Sequence, residues 1–175
     1  MTTAMIGPEY CDAMARYNAW QNWQMADAFA GLDVAEFEAD RQGFFGSIQA
    51  TANHLLWADL MWMSRFEDGD APTDGIGGSV RMTQNLAEWR SERLRLDARI
   101  LGWSGRVGTG ELAGPLTWVS GLVGREVTRD FAPCVVHMFN HQTHHRGQIH
   151  AMLTQAGAVA PVTDFAFMPD TGAWL

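Results

Sequence analysis

Apolar residues recur at helical spacing over most of the chain, and this pattern predicts four long helices. In residues 8–30, Tyr10, Met14, Tyr17, Gln21, Met25 and Phe29 follow one stripe, Trp20 and Trp23 widen it, and Gly31 supplies a stop. Asn18 and Gln21 lie within or beside that stripe and read either as polar groups supporting a site or, the favoured reading, as its exposed edge. Residues 32–40 form a charged connector. Residues 42–66 carry Ile48, Ala52, Leu55, Trp62 and Phe66 at helical intervals, with Asp59 inside the apolar run. Residues 67–82, EDGDAPTDGIGGSVRM, concentrate Gly, Pro and Asp and read as a loop long enough to border an entrance. A third helix is expected from Thr83 to Leu101, with Leu86, Trp89, Leu96 and Ile100 inward, Glu88, Arg90, Glu92, Arg95 and Arg99 outward, and Gly102 ending it.

Two short extended stretches, residues 116–119 and 125–129, flank residues 120–124 as a small hairpin that must lean on the helices to persist. Asp130 then offers an N-cap with Pro133 in the first turn, the fourth helix runs to about Gln155, and Gly157 stops it. The tail, residues 158–175, carries Phe165, Phe167 and Trp174 and is expected to fold back over the helices. The fold class that follows is all-α, a four-helix bundle with a small β-hairpin between helices three and four. A single domain is expected over residues 1–175.

The fourth helix holds five of the six histidines in HMFNHQTHHRGQIHAMLTQ, residues 137–155. Side chains three and four apart share a helix face, so His137, His141, His144 and His145 stand together. Imidazole binds transition metals through either ring nitrogen, and an i, i+4 pair can close on one ion. The sixth histidine, His54, lies on the second helix on a line with Thr51, Ala58 and Met61. A His from one helix and a pair from another can meet inside a bundle.

The segments YNAWQNW, GSIQATANHLLWADLMWMSRF and FNHQTHHRGQIHAMLTQAG resemble the DinB/YfiT-like family of metal-binding four-helix bundles over nearly the whole chain. The resemblance implies that His54, His141 and His145 are the metal ligands, with His144 a neighbour. It also implies a homodimer, and an option for thiol-dependent transferase chemistry. His137 and His150 read as ordinary structural or surface histidines. Asp59 either orients a ligand histidine, pairs with Arg146, or ties two helices together. Arg146 either attracts an anionic substrate or bridges to a neighbouring helix, and Gln148 supports the site or the packing.

Charge narrows the partners. Hydrophobic residues make up 47% of the chain, charged ones 18%, and the net charge of −8 argues against binding to phosphate backbones. The first residues, MTTAMIGPEYCDAM, show neither a basic leader nor a sustained apolar run, and no later run reaches the ~18 apolar residues of a membrane span, so a cytoplasmic location is expected. Cys11 and Cys134 are expected to be reduced thiols, and Cys134, one turn before His137, reads as a small buried side chain. Three histidines leave a coordination position for water or a thiol. The residues after His141 are Gln142 and Thr143, so the glutamate base of HExxH proteases is missing. The expected function is a divalent-metal-dependent enzyme, with Zn or Ni as cofactor, acting as a thiol S-transferase or a hydrolase; its partner would be a low-molecular-weight thiol or another small molecule. The alternative is a non-catalytic metal-binding bundle of stress response. Metal occupancy is expected to fall below about pH 6, as the ligand histidines take up protons.

Overall fold

The computed structural model describes residues 5–67, 69–172 and 174. Four long helices, α1 (Pro8–Ala30), α3 (Ile48–Phe66), α4 (Leu86–Ser104) and α6 (Phe131–Gln155), are joined by short ones, α2 (Val34–Glu38) and α5 (Thr109–Leu112), and by a hairpin of β1 (Pro115–Ser120) and β2 (Arg125–Asp130). The hairpin strands pair antiparallel from Pro115–Asp130 to Ser120–Arg125, as the extended stretches predict. No described helix is long and apolar enough to cross a membrane.

Contacts between the long helices fix their directions. Phe29 meets Trp89 while Asn22 meets Asp97, so α1 and α4 run antiparallel; His54 meets His141 while Phe66 meets Phe131, so α3 and α6 do too. By contrast, Trp89 donates to the Ala52 carbonyl and Arg99 to that of Met63, which makes α3 and α4 parallel. Parallel neighbours need a connection that travels back along the bundle, here about 28 Å for a 19-residue helix. Residues 67–85 make that return, and their 3-10 turn, Ile76–Arg81, packs against α3 beside His54. The long loop is therefore a topological requirement that delivers its middle to one wall of the histidine cluster.

Inside the bundle Leu55, Leu56, Ile100, Val135, Phe139 and Leu153 are fully buried, each contributing about 1.5–3 kcal/mol by leaving water. Several boundaries differ from those the sequence predicts. Helix α3 begins at Ile48, because Gln42 and Gly46 adopt φ of 59° and 82°, and Ser47 caps it by accepting from the Ala50 amide. Helix α4 begins after Asn85, whose side chain accepts from the Glu88 amide; Thr83 instead gives its hydroxyl to Asn53 at 2.6 Å. Gly102 sits within α4, which continues to Ser104. Gly157, at φ 73°, follows the end of α6 as expected.

The tail does return to the bundle. Tyr17 donates to the Thr163 carbonyl at 2.6 Å and Gln21 to that of Val162 at 2.8 Å, while Arg16 reaches the Asp170 carbonyl at 2.5 Å. Phe165 stacks on Tyr17 and Trp174 is buried against α1, but Phe167 stays 71% exposed and covers nothing. Asn18 and Gln21 are both buried, which corrects the exposed edge expected of them. Gln21 serves the tail, and Asn18 faces α4.

Candidate metal centre

His141 and His145 lie one turn apart on α6, and antiparallel α3 brings His54 to the same point. The Nε2 atom of His141 stands 3.3 Å from that of His54 and 3.1 Å from that of His145, and one nitrogen from each of the three rings falls within a 4.8 Å group. His54 and His145 are buried and His141 half-buried. Two nitrogens bound to one ion at about 2.0–2.1 Å in tetrahedral array are about 3.3 Å apart, so these separations suit a shared cation.

Hydrogen bonds behind the rings decide which nitrogen faces inward. The Ser79 hydroxyl donates to the Ile76 carbonyl at 2.7 Å, leaving its oxygen to accept from His54 Nδ1 at 2.9 Å. Gln148 Oε1 accepts from His145 Nδ1 at 2.8 Å, and its Nε2 donates to His144 Nε2 at 3.1 Å, which orients the amide. With both Nδ1 atoms protonated, both Nε2 atoms present lone pairs to the centre. His141 Nδ1 is buried without a partner among the described residues. Those two lone pairs meet His141 Nε2, which either donates its own proton to one of them or shares a cation with both.

The surroundings keep the rings neutral. Phe45 packs on His54 at 4.1 Å and on His145 at 5.5 Å between centroids, and Trp57 lies 6.0 Å from His54. Burial, reinforced by the neighbouring imidazoles, holds His54 down to about 4 and His141 to about 3, and burial lowers His145 as well. Protons therefore compete for these nitrogens at lower pH than they would at exposed imidazoles.

Other candidates have different places. His144 is exposed and turned to Gln148, His137 is exposed beside the Trp62 ring, and His150 makes no side-chain contact with the triad. Cys11 and Cys134 are buried free thiols outside the triad, and burial pushes Cys11 up to about 11. No described carboxylate or thiol joins the three histidines.

Beside the triad lies a second buried polar cluster. Arg93 of α4 donates to Asp59 at 2.6 Å and reaches Asp97 at 2.9 Å, and Asp97 also accepts from Asn18 at 3.2 Å and Asn22 at 2.9 Å. Asp59 is thus a tie between helices, paired with Arg93 and not with Arg146. Arg146 donates to Asn18 Oδ1 and to Thr143 Oγ1, and its guanidinium lies 5.4 Å from the Tyr17 ring centroid; it faces no anion site. Burial raises Asp97 to about 6, against the pull of Arg93, and lowers Arg146 to about 10.

Sequence reasoning missed Ser79, Phe45, Arg93 and Asp97. Arg93 and Asp97 had a signal, since they fall on the inward line of Trp89, Leu96 and Ile100 with opposite charges at i, i+4. Ser79 and Phe45 had none, because both sit in loops without periodicity.

The sequence profile of the DinB family matches residues 2–173. Over 165 residues the chain is 27% identical to Protein DinB of Bacillus subtilis (strain 168), an alignment covering 90% of this chain and 92% of that protein.

Proposed function

The chain belongs to the DinB family, and from that premise we propose that it binds a divalent metal ion, Zn or Ni, through His54, His141 and His145 and works as a metal-dependent thiol S-transferase or hydrolase. The observation that carries the reading is the convergence of three imidazole nitrogens whose outer hydrogen bonds to Ser79 and Gln148 leave lone pairs facing inward. A dication held by three histidines with a position to spare stabilises a thiolate or a hydroxide at neutral pH.

The chain's own residues have definable tasks. Ser79 and Gln148 hold the Nδ1 protons of His54 and His145, so those rings stay in the ligating tautomer. Phe45 and Trp57 wall the centre with apolar surface, which keeps the histidines unprotonated and excludes water from one side. A thiol substrate is favoured over water by what surrounds the triad: Gln142 occupies the position of a protease's glutamate, Asp59 is committed to Arg93, and a thiol ionises more readily than water without a general base.

We extend the proposal to a single domain working as a cytoplasmic homodimer. Trp23 at 42% and Leu94 at 66% exposure, on the packed pair α1 and α4, offer an apolar patch for a second copy.

Incubating Zn- or Ni-loaded protein with monochlorobimane and a panel of biological thiols tests the activity. Conjugation that requires the metal and vanishes in His141→Ala is expected. Full metal loading without conjugation for any thiol would overturn the transferase reading and leave a hydrolase or a non-catalytic metal-binding bundle.

A further inference from the structure

The face of α3 that carries His54 continues through Ala58, Met61 and Trp62 to Arg65. Eleven residues bring the helix back to nearly the same angle, so Arg65 lies on the His54 face ~16 Å further along the axis. On antiparallel α6 the matching run leads from His141 through His137 to Cys134. The His137 ring is 6.0 Å from His141 and 5.2 Å from Trp62. The Arg65 guanidinium lies 4.6 Å from the Trp62 centroid and 5.0 Å from that of Trp118 on β1, whose rings meet edge to face at 5.9 Å.

Arg93, Arg99 and Arg106 each hold a carboxylate at 2.5–2.9 Å, whereas Arg65 pairs with no acidic residue among those described. Its burial is enough to lower its pKa, burial being the leading cause. Trp62, Arg65 and Trp118 remain partly exposed, so an anion from solvent can reach them. A guanidinium on an aromatic platform, partly stripped of water, keeps its planar fork for a carboxylate.

We propose that Arg65, held between Trp62 and Trp118, is the anion-recognition subsite of the metal centre, taking the terminal carboxylate of an extended small-molecule substrate whose reactive end lies at His54, His141 and His145. The proposal rests on the metal-enzyme reading above and assigns the substrate class as acidic, with an apolar middle lying over the partly exposed Met61 and Trp62. The side chain of Arg65 leans toward the N-terminus of α3 and shortens the gap, so a chain of about eight carbons spans it. Arg65 is a positioning residue here and takes no part in bond making.

Calorimetric titration of Zn-loaded protein with 8-mercaptooctanoate and 8-mercaptooctanol provides the test. The acid should bind about tenfold more tightly than the alcohol. That preference should vanish in Arg65→Gln with the alcohol's affinity unchanged, and Arg65→Lys should keep part of it. Equal affinities in the wild type, or a preference that survives Arg65→Gln, overturns the subsite. If neither thiol binds, the thiol reading fails independently, and suberate then decides the subsite. Suberate binding that weakens about tenfold in Arg65→Gln supports it, and suberate binding absent or indifferent to the substitution overturns it.

Discussion

Two buried polar clusters share this bundle, and they are built on opposite plans. Asp59, Asp97, Arg93 and Arg146 carry two charges of each sign, interleaved with Asn18 and Asn22, so that cluster balances itself. His54, His141 and His145 are held neutral by burial, and one nitrogen of each faces a common point. The first pairs its charges among its own side chains, whereas the second gathers three neutral groups of metal-ligating type. Burial is therefore answered by pairing opposite charges in one region and by suppressing charge in the other.

Removing one charge from the balanced cluster should have the largest effect. Arg93→Met strands Asp59 and Asp97 without their cation, and a loss of about 3–5 kcal/mol in denaturant unfolding is expected. A loss under about 1 kcal/mol would mean the two carboxylates are not held by that guanidinium. Next comes His141→Ala, expected to weaken metal binding about 100-fold or more by elemental analysis and competition titration, while the metal-free protein unfolds at nearly the wild-type temperature. Strong destabilisation of the metal-free variant would erase the distinction between the clusters. Ser79→Ala removes only the hydrogen bond behind His54 and should weaken metal binding about tenfold, with little change in folding.

Acid separates the clusters more gently. His54, lowered to about 4 from 6.5, and His141, lowered to about 3, bind fewer protons folded than unfolded. Stability on their account is present above pH 6.5 and is lost as pH falls toward those values. Asp97, raised to about 6 from 3.8, binds more protons folded, so its contribution rises as pH falls through the same window. The four lowered histidines, His145 and His137 among them, outnumber Asp97 and Asp59, which burial also raises, and the metal-free protein should melt lower at pH 5 than at pH 7. In Asp97→Asn that drop should steepen, and a shallower drop would reverse the assignment.

Much of this was legible in the residues. Periodicity located the four long helices and the hairpin because each is a local pattern, and it gathered His137, His141, His144 and His145 on one helix face without choosing His141 and His145 among them, a choice that came from the resemblance. His54 needed the resemblance to a known family, since nothing local ties α3 to α6. Helix starts were missed where a better cap lay a few residues on, as Ser47 and Asn85 show. Ser79 stayed invisible because its role follows from the parallel packing of α3 and α4, a property of the whole topology. Asn18 illustrates the converse limit, for a polar residue on an apolar stripe reads as exposed until its partner across the bundle is known.

The attachment of the tail to α1 has a consequence for how such a chain can drift. Arg16, Tyr17 and Gln21 grip main-chain carbonyls at Asp170, Thr163 and Val162, and a carbonyl is the same whichever residue bears it. Substitutions along most of that terminal segment should therefore accumulate cheaply across generations, whereas the three gripping side chains should be held nearly constant.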